Sequence, residues 1–427
     1  VRRLPLVFAA AVSILVLATV GIGTGLLAIP GAATTGPVAA ASNTPSPAAT
    51  AAITPEPTSA RPTASPYVAT GIDRPGMAGR LQAALDEGRA ALAAPGIQAS
   101  VIFPDGQQWS GVAGVADLAT GRALTLDTPF PIASVSKTFL AAEVLLLIDA
   151  GRLSLDDAPA RLLPTTLVGG AAIDPRITIR MLLDHTSGLD DYLTSPKLDA
   201  AMLADPLAVW TPAQSLAYVG RAAGPPGVGY SYANTNYVLL GLIVEQITGR
   251  TLAQELRTRF FDPLGLASAS YQGAEPPAAE LPTAYRYSSI KLTAKPRDVT
   301  DGTDIRPFTA ITTATGAAGS VAMSARDLGH WARALYGGYV LPPDLLELMV
   351  ADAAVTQTLK PPYPYGLGVQ VFTIDDRITY GHSGRLVGAR SVVRWFPEAG
   401  IAIAIVTNQS RFDTTSILRD MLAIVAP

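Results

Sequence analysis

A serine hydroxyl is a weak nucleophile until a neighbouring group takes its proton. In Ser134-Val135-Ser136-Lys137 a lysine follows a serine by three residues, which on a helix puts both on one face. The residues behind them, Phe139, Leu140, Val144, Leu145, Leu147 and Ile148, are apolar nearly all round, as in a buried helix. Ser134 is therefore expected in the first turn of that helix, where free amides and the positive dipole end stabilise a developing oxyanion. Spacing alone does not select this pair. The chain has five lysines, and Ser288 and Lys291 repeat the pattern. The ordinary meaning of either match is a capped helix with a solvated lysine. Context separates them: Ser288 lies in a polar stretch, whereas Ser134 opens the most apolar helix.

Two further constellations sit at element boundaries. Tyr232-Ala233-Asn234 follows a turn from Gly224 to Gly229 and precedes a helix through Tyr237, Leu240, Val244 and Ile247. A tyrosine normally titrates near 10. A cation such as Lys137 beside it would favour its phenolate and let Tyr232 act as a base. The plainer alternative is a loop aromatic, with Asn234 as helix cap. His382-Ser383-Gly384 ends a predicted strand. There His382 is a candidate cation or donor on an edge strand, Gly384 lets a substrate backbone approach, and the amide of Arg385 could serve the oxyanion. The Arg385 side chain could clamp a carboxylate or simply be solvated. A structural histidine at a turn is the competing reading of His382.

Composition removes whole classes of function. The 427 residues include no cysteine, so disulfides, thiolate-bound zinc and a thiol nucleophile are excluded. Three histidines, His185, His330 and His382, leave little for a histidine-rich metal site; no metal or organic cofactor is expected. Net charge is −3, with 31 basic residues scattered along the chain, so nucleic acid is not an expected partner. His330, on a helix capped by Ser324, is expected to form a surface pair with Asp327.

The elements that must position these residues are readable in outline. Arg2 and Arg3 precede an uncharged run from Leu4 to Ile29, long enough to cross a bilayer. Residues 1–30 are thus expected to be a signal or anchor segment that leaves the rest of the chain outside the membrane. Residues 31–75, rich in Ala, Thr, Pro and Ser, read as a disordered spacer. Residues 76–427 form the folded domain. A helix is expected over 76–93, then strands at 97–103 and 107–115 about a Pro104-Asp105-Gly106 turn. A long helical stretch covers about 134–336. Strands return at 366–372, 377–382, 388–396 and 401–407, and a helix closes at 414–424. Strands at both ends imply one antiparallel sheet covered by the terminal helices, with a helical subdomain inserted and a crevice between the halves.

In order, Ser-x-x-Lys, Tyr-x-Asn and His-x-Gly resemble the class C β-lactamase and D-alanyl-D-alanine carboxypeptidase family, which includes related esterases. Phe130-Pro131-Ile132-Ala133-Ser134, Leu182-Leu183-Asp184-His185-Thr186-Ser187-Gly188-Leu189, Pro263-Leu264-Gly265-Leu266, Ala317-Ala318-Gly319-Ser320 and Tyr365-Gly366-Leu367-Gly368 resemble its signatures, over about residues 78–425. Ser-x-x-Lys is the nucleophile motif of such enzymes, with the base disputed. The resemblance implies a β-lactamase/transpeptidase-like α/β fold. It implies an acyl-enzyme on Ser134, proton transfers shared by Lys137 and Tyr232, and Asn234 positioning Lys137 and the substrate amide. It gives His185 a structural place closing a loop. His382 stands where class C β-lactamases have lysine, which fits peptidase-like and esterase-like members better. The expected substrate is a small molecule or a peptidoglycan peptide ending in D-Ala-D-Ala. An esterase, or a catalytically silent surface-binding protein, are the alternatives. A sensor is disfavoured, since three residues ahead of the apolar run leave no room for a cytoplasmic domain.

Overall fold

The computed structural model describes Arg74, residues 76–360 and residues 362–426. The Leu4–Ile29 run and the 31–75 spacer, Arg74 apart, lie outside the described residues. Among the described residues no helix is long and apolar enough to cross a membrane.

Six strands make one antiparallel sheet: β1 (Gly96–Ile102), β2 (Gln108–Gly114), β3 (Gln370–Ile374), β4 (Arg377–Leu386), β5 (Ala389–Phe396) and β6 (Ile401–Thr407), in the order β3-β4-β5-β6-β1-β2. The two ends of the folded domain meet where β1 pairs with β6, Ile97 opposite Thr407 and Ile102 opposite Ala402. Both of these central strands are buried at all seven positions. That explains the unbroken apolar run from Ile401 to Val406 in β6: a strand covered on both faces has no solvent side to mark with polar residues. In β1 the polar Gln98 and Ser100 are buried as well.

Helices cover both faces. On one side α1 (Met77–Leu92) packs Leu81 and Leu85 with Ile97, Ile403 and Ile405. The last helix, Thr415–Val425, adds Ile417, Leu418 and Met421 to the same core. On the other side lie α2 (Ser136–Asp149), α3 (Asn234–Thr248), α4 (Ala325–Tyr336) and α5 (Pro343–Thr356); the last helix is α6. Phe139 of α2 stacks on Trp331 of α4 at 3.8 Å between ring centroids. The terminal helices thus cover the sheet as expected.

Two expectations needed correction. The stretch 134–336 is not helical throughout: Phe130–Pro131, Val321–Met323 and Ser270–Tyr271 form a small sheet beneath the nucleophile. The strand expected at 366–372 starts only at Gln370. Gly366 and Gly368 make the preceding residues a close-packed turn. A Cβ on Gly366 would lie 2.2 Å from the Met349 carbonyl oxygen, and Gly368 has φ +79°.

Candidate active site

Ser134 sits just ahead of α2 rather than inside its first turn. It occupies a tight turn, Ala133–Val135, and α2 begins at Ser136. Ala133 is left-handed at φ 49°, a conformation that costs a non-glycine residue energy and must be held by its surroundings. Several contacts hold it. The Ile132 amide donates to Val321 O at 3.0 Å. The Ser391 hydroxyl donates to Ile132 O at 2.6 Å, and the Val321 amide donates to Ser136 Oγ at 3.1 Å. A single apolar helix could not impose this turn; β5 and the small sheet clamp it from two sides. Ser134 itself remains partly exposed.

Lys137, in the first turn of α2, is completely buried. Its Nζ lies 3.1 Å from Ser134 Oγ, 2.7 Å from Asn234 Oδ1 and 2.7 Å from Ala318 O. Burial pushes the ammonium down from 10.5 to about 7, against the opposing pull of Asp191. A neutral amine has two N–H bonds and one lone pair. The two short contacts are to obligate acceptors, Asn234 Oδ1 and Ala318 O. The lone pair is then left facing Ser134 Oγ, where it can take the hydroxyl proton. Tyr232 approaches from the other side, its hydroxyl donating to Ser134 Oγ at 2.9 Å. Burial raises the Tyr232 phenol well above its ordinary range. The expected phenolate is therefore not favoured: Tyr232 stands beside the nucleophile as a proton donor, and Lys137 is the group able to accept.

The strand carrying His382 runs past its neighbour. Pairing of β3 with β4 stops at Gln370 opposite Gly381, so among the described residues 382–386 have β5 on one edge and no strand on the other. The Ser383 amide points to that open edge, where it donates to Gln370 Oε1 at 3.1 Å. Alternation puts the Arg385 amide on the same edge, in keeping with an oxyanion role. The other readings of this strand change. His382 is buried, with Nδ1 2.7 Å from Ser383 O and Nε2 2.9 Å from the Tyr365 hydroxyl. The carbonyl requires a proton on Nδ1, which leaves Nε2 to accept from Tyr365. Burial and Lys137 hold the imidazole well below its usual titration range, so His382 is a neutral, engaged side chain and not a cation. Gly384 admits protein rather than substrate: a Cβ there would meet Ile132 O at 2.1 Å and Ser391 Oγ at 2.4 Å. Since Gly384 and Ser391 face the nucleophile turn, the odd-numbered Ser383 and Arg385 leave from the opposite face. Arg385 is exposed and opposite Arg390. The structure does not bring its side chain to Ser134.

Comparison with known proteins agrees with this geometry. The sequence matches the Beta-lactamase family over residues 81–426. The chain belongs to that family. It is 32% identical over 339 residues to "Penicillin-binding protein 4" of Amycolatopsis lactamdurans, covering 77% of this chain and 85% of the relative. It is 31% identical over 224 residues to "Esterase EstB" of Burkholderia gladioli, covering 50% of this chain and 56% of that protein. Among solved structures, a D-stereospecific amidohydrolase from Streptomyces sp. superposes with a TM-score of 0.67 at 29% identity, covering 80% of this chain and 97% of that one. The fold is thus β-lactamase/transpeptidase-like, and the chain is a serine hydrolase of the Beta-lactamase family.

Within this family fold, three further residues take their places: one that sequence reasoning missed, one that it placed and one that it misjudged. Asp191 was missed. Its carboxylate accepts from Asn234 Nδ2 at 2.9 Å and from the Asn234 amide at 3.2 Å, so it braces the residue that holds Lys137. The only signal was an acidic pair, Asp190-Asp191, directly after the His-Thr-Ser-Gly-Leu stretch. His185 does close a loop: at φ 62° its Nδ1 accepts from the Ala233 amide at 3.2 Å, and its ring lies 4.2 Å from that of Tyr232. It holds the tyrosine loop in place. His330 is no surface residue. It is 4% exposed and pushed down to about 3 by burial, while Asp327 turns to the Ser268 amide and hydroxyl. Ser288 is exposed, as its polar context implied.

Proposed function

We propose that this chain hydrolyses amide bonds next to a D-residue through an acyl-enzyme on Ser134, with cell-wall D-alanyl peptides as the first substrate class. The observation that carries the reading is the position of Ser134 Oγ, in contact with both Lys137 Nζ and the Tyr232 hydroxyl. Lys137 takes the proton from Ser134 as Oγ attacks the carbonyl carbon. Backbone amides, that of Arg385 among them, receive the oxyanion. The Tyr232 hydroxyl gives its proton to the leaving nitrogen, and the ammonium of Lys137 replaces it. Water then enters by the reverse sequence and releases the acid. The penicillin-binding and D-stereospecific relatives support a D-peptide or D-amide substrate. We further infer from Leu4–Ile29 that the enzyme works outside the cytoplasmic membrane, anchored or released, as cell-wall chemistry requires.

No carboxylate clamp is part of this reading, because His382 is neutral and Arg385 faces away. A D-Ala-D-Ala peptide and its C-terminal amide should therefore turn over within about threefold of one another. A preference above about 30-fold for the free acid would restore a strict carboxypeptidase; that is the size of one charge-assisted bond of about 2 kcal/mol. Hydrolysis of p-nitrophenyl esters without cleavage of either peptide would instead support the esterase reading, which rests on the partial match to the esterase.

A further inference from the structure

At the β3 edge of the sheet, a cavity of about 710 Å3 opens between α6, the strands β3 to β5 and α5, a size that suits a small organic ligand. Its wall mixes the apolar Val371, Phe372, Val392 and Leu418 with Arg390 and Arg394. The register turns its two arginines away from the nucleophile turn. Ser391 turns its hydroxyl to Ile132 at the nucleophile, so Arg390, Val392 and Arg394 project from the other face.

The two arginines differ in how they are neutralised. Arg390 has a carboxylate, Asp413 Oδ2, at 2.6 Å. Arg394 is 4% exposed and forms no ion pair among the described residues. Its Nη2 donates to the neutral Gln370 Oε1 at 2.7 Å, and its guanidinium lies 4.9 Å from the centre of the Phe372 ring. Its Nη1 has no hydrogen-bond partner among the described residues. Asp413 attracts this cation without pairing to it, so the cost of burying it is only partly offset. A carboxylate would relieve it, because a planar guanidinium accepts one by two parallel hydrogen bonds.

We propose that this cavity is a second ligand site, one that holds a small monocarboxylate on Arg394 with its apolar body against Phe372, Val392 and Leu418. Asp413, also on the wall, sets the limit on affinity by repelling the incoming carboxylate and by occupying Arg390.

Benzoate is the probe and benzamide its uncharged counterpart, titrated calorimetrically into the purified full chain. Benzoate should bind and benzamide should not. Arg394→Gln should weaken benzoate by about tenfold, the scale of one charge-assisted hydrogen bond. Asp413→Asn, which keeps a side-chain oxygen for the α6 terminus, should tighten it by about threefold. Lys137→Met alters the catalytic crevice and should leave it unchanged. The proposal is overturned if benzoate fails to bind the folded wild type, or if Asp413→Asn binds no more tightly. It is equally overturned if Lys137→Met abolishes binding, since the carboxylate would then sit at Ser134. These outcomes do not depend on whether the enzyme cleaves D-peptides.

Discussion

Replacing Lys137 by methionine separates the protonation state of the amine from its chemistry. The native ammonium titrates at about 7 and the unfolded one at 10.5. Between these values the unfolded chain binds one proton more than the native chain. Stability contributed by this group therefore rises with pH across that window. It is fully present above the unfolded value and is lost as pH falls through the native one. Each pH unit in the window is worth about 1.4 kcal/mol, and the whole span about 5 kcal/mol. Lys137 is completely buried, so solvent screening does not reduce that figure. Methionine keeps the stem volume but leaves Asn234 Oδ1 and Ala318 O without their donor, a constant cost of about 1–3 kcal/mol each. The absolute difference between the proteins is thus ambiguous, but its slope is not. Urea unfolding at pH 7, 8, 9 and 10 should show wild type gaining on Lys137→Met by about 1 kcal/mol per unit. The ascending limb of kcat/KM should have its midpoint near 7, reporting the same amine in the free enzyme. A flat difference between pH 7 and 10 would mean that the amine is charged at neutrality, and the assignment of Lys137 as proton acceptor would fail.

Ser134→Ala should abolish labelling by a fluorophosphonate or fluorescent penicillin, and Ser288→Ala should leave it intact; an adduct mapped to Ser288 would reverse the choice between the two motifs. Tyr232→Phe preserves the ring contact with His185 and removes only the hydroxyl. Turnover should fall by about 100-fold or more, and an unchanged rate would leave Tyr232 a packing residue. Gly384→Ala drives a methyl to 2.1 Å from Ile132 O. The turn must yield, so thermal denaturation should show a loss of about 1–3 kcal/mol with activity falling further than stability.

Residues near in sequence were legible; partners assembled from afar were not. Ser134 stood out because its apolar helix must be buried, and β6 because its continuous apolar run belongs to a strand covered on both faces. The face of Arg385 was also within reach: it lies three positions from His382, and an odd offset along a strand reverses the side. The protonation state of Lys137 was not within reach, since it depends on Asn234 and Ala318, 97 and 181 residues away. That missing fact also explains the misreading of Tyr232. A phenolate was expected because a cation should stand beside it, but the burial that would force the tyrosine to need a cation removes the charge from the lysine. Desolvation penalises whichever form is ionised. It lowers the amine to about 7 and raises the phenol, so that above pH 7 both stand neutral on either side of one hydroxyl. A neutral amine offers a lone pair and a neutral phenol offers a proton. A single cause, exclusion of water, thus supplies the acceptor and the donor that acyl transfer needs, without a permanent charge on either.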